Sequence, residues 1–125
     1  MPPPPSDAST PDRGRALFRV VYPAADRPRF LLEDGTVGRV VDCSELGLRY
    51  RMAGTDRPPA FGAVVAGEVE FRTEARTPVS GRVIRVVDRE VALYLSTPGL
   101  SLRTILAEQR ALRARYPFHD AEPTQ

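Results

Sequence analysis

A chain of 125 residues has room for one domain, and with 42% hydrophobic and 27% charged residues it can pack a core, which excludes wholesale disorder. No apolar run nears the ~20 residues that cross a bilayer, and Met1-Pro2-Pro3-Pro4-Pro5 has neither the basic nor the apolar region of a secretory signal, so no membrane insertion and a cytoplasmic location are expected. A net charge of +2 is too small a footprint for bulk nucleic acid, and the single Cys43 excludes an intramolecular disulfide framework and a cysteine-based zinc site.

Residues 1–12 hold five prolines among serine, threonine and aspartate, and read as a disordered Pro-rich tail. The domain is expected over 13–117. Leu17 to Tyr22 is apolar and β-prone, closed by Pro23. Phe30-Leu31-Leu32 runs into Asp34-Gly35, a hairpin signal, and returns through Val37 to Val41. After a turn at Asp42 to Glu45, Leu46, Leu48, Tyr50 and Met52 alternate with Gly47, Arg49 and Arg51, the period of a half-buried strand. Gly54 to Pro59 is a loop. Val65, Gly67, Val69 and Phe71 alternate with Ala66, Glu68, Glu70 and Arg72, which puts the glutamates on a solvated face. Val79 to Val87 and Val91 to Leu95 form a further hairpin about Asp88-Arg89-Glu90.

Six short strands at this spacing predict a mainly β fold, a small six-stranded antiparallel β-barrel. Ser101 caps a C-terminal α-helix over about 101–116, with Leu102, Ile105, Leu106, Leu112 and Tyr116 facing the barrel. Pro117 stops it, and 118–125 is a polar tail.

Enzymatic readings find little support. The one histidine, His119, falls in the tail, where a nucleophile would need a mobile base. Cys43 lies between polar residues at a strand end and is expected to pack as a small buried side chain. HExxH, CxxC and Walker glycine loops are absent, so no catalytic residue, metal or cofactor is expected.

All 18 basic residues are arginine, so position must tell a coding bias from a binding role. Two segments stand out by position. Arg15-Ala16-Leu17-Phe18-Arg19 places two arginines four apart where the tail meets the domain, and Asp42-Cys43-Ser44-Glu45-Leu46-Gly47 follows between two strands. RxxxR followed by DxSxxG resembles the PilZ family, as do Phe18 to Pro23, Gly47 to Tyr50 and the helix running from Leu106 to Pro117. The resemblance covers about Arg13 to Pro117 and implies a non-enzymatic receptor for the bacterial second messenger cyclic di-GMP, signalling to a downstream protein. It implies a ligand site of Arg15, Arg19, Asp42, Ser44 and Gly47, with Arg13 and Arg49 as additional candidates. The chemistry suits these types: arginine meets guanine O6 and N7 bidentately and pairs with phosphate, while a carboxylate accepts from guanine N1–H and N2–H₂. Many family members have a further arginine immediately before RxxxR; here that position is Gly14, which leaves open whether one ligand or an intercalated pair binds. The alternatives are a PilZ-like adaptor without nucleotide and a small barrel for single-stranded nucleic acid. The second is disfavoured because the aromatics do not interleave with arginines on one strand face.

Overall fold

Asp34 and Gly35 make the first tight reversal in the computed structural model, which describes residues 18–54, 57–73 and 76–117. Gly35 has φ +95°, and Asp34 Oδ1 accepts from the Thr36 backbone N–H at 2.9 Å and its hydroxyl at 2.6 Å. An aspartate that satisfies the turn locally and a glycine free to take positive φ fix the hairpin's register. The hairpin joins β2 (Arg29–Leu32) to β3 (Val37–Cys43), and β3 continues through a second short turn into β4 (Gly47–Met52). After a long loop, β5 (Val64–Val69), β6 (Thr77–Val87) and β7 (Glu90–Leu95) form a second antiparallel meander. Asp88, at φ 55°, turns β6 into β7.

The two three-stranded meanders meet along two seams. Phe30 pairs with Val69 between β2 and β5, and Tyr50 pairs with Val91 between β4 and β7. This closes the expected six-stranded antiparallel barrel. A short β1 (Val20–Val21) lies outside the ring, paired with the end of β3. Of the strand expected from Leu17 to Tyr22, Val20 and Val21 pair with β3 and the Tyr22 N–H adds a bond to the Val41 carbonyl at 2.9 Å, after which β2 takes over that edge; Leu17 lies outside the described residues, as do the proposed tails 1–12 and 118–125.

Period-two alternation sends Val40, Leu48, Tyr50, Val69, Val83, Val91 and Leu93 inward, where each is essentially buried. Phe30 meets Tyr50 edge to face at 5.0 Å between ring centres, a favourable arrangement of the two ring quadrupoles. Gly67 faces inward where the β2–β5 seam is tightest, and a Cβ there would stand 2.4 Å from the Leu31 carbonyl oxygen. β6 begins earlier than expected and includes Pro78. Pro78 pairs with Glu68 before β6 gains β7 on its other side at Gly81, so its missing N–H is tolerated at an edge.

The helix α1 (Leu102–Arg115) covers the end of the barrel at which β3 finishes and β4 starts. Ser101 caps it, its hydroxyl accepting from Thr104 N–H at 3.1 Å, while the Leu100 backbone N–H donates to the Glu45 carbonyl at 2.8 Å. The buried stripe differs from the expected one: it is Thr104, Ile105, Glu108 and Leu112, and Leu102 is turned outward. Glu108 takes part although charged because three donors surround it: Tyr22 Oη at 2.6 Å, Thr73 N at 2.8 Å and Thr73 Oγ1 at 2.7 Å. Among the described residues no helix is long and apolar enough to cross a membrane.

Candidate functional site

A shift in register between Val40 and Asp42 re-aims the end of β3, where β1 joins its edge. The Asp42 carboxylate thereby sits beside Arg49, its cross-strand neighbour on β4, and beside Arg19, the residue before β1. Arg19 Nη1 donates to Asp42 Oδ1 at 3.0 Å and Arg49 Nη2 donates to Oδ2 at 2.6 Å. The carboxylate is only 5% exposed, whereas the two guanidinium side chains are 51% and 45% exposed. A buried anion thus orients two cationic forks that stay about half exposed to solvent. Arg49 also approaches Glu90 Oε1 at 3.4 Å. The Gln109 side chain donates to the Arg19 carbonyl at 3.0 Å, tying the segment to α1.

Ser44 and Gly47 form the turn that follows. The Ser44 N–H donates to the Gly47 carbonyl at 2.8 Å, and Ser44 is itself buried. A Cβ on Gly47 would find Ser44 Oγ at 3.4 Å and the Leu93 carbonyl at 3.9 Å, both ordinary contacts. The fold therefore tolerates a side chain at this position. Its absence leaves a low floor between Ser44, Arg49 and the exposed Tyr94, which pairs with Gly47 from β7. Cys43 points inward and is fully buried; burial, followed by the charges of Asp42 and Glu108, pushes its thiol well above the ordinary range. A thiol so held is packing material and a poor nucleophile.

Five residues that the sequence singled out, Arg19, Asp42, Ser44, Gly47 and Arg49, come together at this end of the barrel. Arg13, Arg15 and His119 lie outside the described residues. The sequence reading missed Tyr22 and Glu108, the buried pair beneath the site, whose contact raises the Tyr22 hydroxyl far above its usual range through burial first, then the charges of Cys43 and Glu108. The available signal was a glutamate in phase with Ile105 and Leu112. A cavity of about 430 Å³ at the opposite end of the barrel, lined by Asp34, Gly38, Tyr50 and Arg57 among others, includes none of the motif residues.

No protein-family model matches the chain. No curated protein matches it either. Among solved structures, it is similar to an uncharacterized Legionella protein, Lpg0364, with 18% sequence identity and a TM-score of 0.51, over 78% of this chain and 96% of that one. At that identity the likeness is one of fold.

Proposed function

We propose that the chain is a PilZ-like receptor for cyclic di-GMP, non-enzymatic and cytoplasmic, which passes ligand occupancy to a partner protein. One observation carries the reading: Arg19, the second arginine of RxxxR, is hydrogen-bonded at 3.0 Å to Asp42, the first residue of DxSxxG, across 23 residues of chain. Arg49 completes the cluster from β4. The donors and acceptor match the ligand. Each guanine offers O6 and N7 to an arginine fork and N1–H and N2–H₂ to a carboxylate, while the two phosphates suit guanidinium. On binding, Arg19 and Arg49 turn part of their donor set from Asp42 to the ligand, and Asp42 accepts from guanine in exchange. Gly47 and Ser44 give a purine face room to approach.

Calorimetric titration with cyclic di-GMP and with GTP tests this. Roughly micromolar binding of cyclic di-GMP, about −8 kcal/mol, is expected, with GTP far weaker because it has one guanine and a linear phosphate chain. Equal affinities, or no binding of either, would refute the reading and leave the ion-pair cluster as the framework of an adaptor that takes no nucleotide.

A further inference from the structure

Further along the same outer face, the barrel gathers three more arginines. Arg39 on β3 stands directly opposite Arg51 on β4, a cross-strand pairing of like charges. Such pairs are destabilising unless something answers the charge. Arg27, which follows the 3-10 turn at Ala24–Asp26, joins them, and the three line a concavity of about 370 Å³. Ala24, Ala25, Met52 and Ala53 complete its wall, so apolar residues stand where competing carboxylates would otherwise be found.

Carboxylates are scarce at this place among the described residues. Among the described residues, Arg51 has only Glu90, at 3.9 Å, and shares it with Arg49. Arg39 reaches no carboxylate among the described residues, and its hydrogen bond is a long 3.4 Å contact to the Arg27 carbonyl. The buried Arg27 Nε has no hydrogen-bond partner among the described residues, an arrangement that is destabilising when left unanswered. Nearby Asp26 does not help, since it is engaged by Arg72, Arg115 and Tyr116. The contrast with other arginines of the same barrel is direct: Arg29 and Arg76 each meet Glu70 within about 3 Å, at 2.8 and 3.1 Å.

We infer that the concavity bounded by Arg27, Arg39 and Arg51 is a second binding site, for a multivalent phosphate oxyanion of the pyrophosphate class, free or carried by a nucleotide. Three planar forks lining one hollow supply more N–H donors than any single monovalent anion can use, and a diphosphate offers acceptors in comparable number. The inference does not depend on the cyclic di-GMP reading, because its residues are distinct from Arg19, Asp42, Ser44, Gly47 and Arg49.

The test is thermal unfolding of the full chain in low-salt, phosphate-free buffer, with pyrophosphate, ATP, or sodium chloride of equal ionic strength. At about 100-fold over its Kd, pyrophosphate should raise Tm by several degrees beyond the chloride control. Arg39→Gln should abolish that excess, and its own Tm without anion should equal or exceed the parent's, because the opposed charge is gone. Arg19→Ala should leave the excess intact. In calorimetry, Arg39→Gln should weaken pyrophosphate at least about tenfold, which keeps the test independent of stability changes. An excess for both pyrophosphate and ATP assigns recognition to the phosphates themselves, and an Arg39-dependent excess for ATP alone assigns it to a nucleotide. An anion effect no larger than chloride's, or one that survives Arg39→Gln or vanishes with Arg19→Ala, overturns the proposal.

Discussion

Asp42 sets one buried carboxylate against two half-exposed guanidinium groups. Its carboxylate is removed from water yet keeps two charge-assisted partners that are themselves half exposed, so solvent screening limits what either pair adds to stability. Arg19→Lys keeps the charge and loses the planar fork. It should leave urea-unfolding stability within about 0.5 kcal/mol of the parent while cutting cyclic di-GMP affinity at least about tenfold, or about 1.4 kcal/mol; a lysine variant that titrates like the parent would show that bidentate recognition is not in use. Gly47→Ala checks the floor of the site in the same assay. Its Cβ meets only ordinary contacts, so the fold should persist, and any loss of affinity reports a ligand approaching that spot. At this scale the sequence was legible where a motif names its residues, as for Asp42 and Gly47. It was not legible for Arg27 and Arg39, because in a chain with 18 arginines nothing local separates a paired guanidinium from one left without a carboxylate.

The elements were read from alternation and turn chemistry, and both worked where the physics is local. Asp34-Gly35 turns because its own side chain and its positive φ do so, and the β6–β7 hairpin turns at Asp88 as expected. What failed to show was whatever a distant partner decides: the trimming of the first strand to Val20–Val21, and the orientation of α1 with Glu108 inward and Leu102 outward. Glu108 makes a sharp test. Glu108→Ala strands the Tyr22 hydroxyl and the Thr73 N–H beneath the helix, and should cost about 2–4 kcal/mol in urea unfolding. Glu108→Gln retains the volume and one acceptor oxygen and should cost less; equal losses would mean that the carboxylate's charge or its second acceptor oxygen, and not the volume it fills, holds the helix. The far end of α1 is tied through Asp26, whose carboxyl is held below its usual range first by the Tyr116 hydroxyl and then by Arg115 and Arg72. Since this group's folded pKa is depressed, the tie is present above the ordinary carboxylate range and is lost as pH falls below it.

For the whole molecule, a buried thiol and two buried phenols lie on the alkaline side. Burial raises Cys43 from 9.0 and Tyr22 from 10.0, both well upward, and pushes Tyr50 from 10.0 to about 12. The unfolded chain ionises first at each of these groups, so their protonated forms favour the folded state below the ordinary values, and that stability is lost as pH rises past them. Stability measured by urea titration should therefore hold up to about pH 9, then fall by about 1.4 kcal/mol per pH unit for Cys43 alone and more steeply beyond pH 10. Cys43→Ala should move the onset up by about one pH unit; an unchanged onset would mean that another group governs it.

The ring closes at only two places, the β2–β5 and β4–β7 seams, and everything else in it is hairpin. This has a kinetic consequence. Each meander can assemble from near neighbours in the chain, but until the two dock, each exposes two raw strand edges, and one docking event covers all four. The order of events should appear in refolding. Val83→Ala, within the β6–β7 hairpin, should slow folding, whereas Val69→Ala, at the β2–β5 seam, should chiefly hasten unfolding. The loop from Ala53 to Ala63 carries the chain from one meander to the other. Lengthening it dilutes one half with respect to the other, so that the cost of an insertion there is paid in the rate at which the barrel shuts, while the assembled ring is left nearly as durable as before.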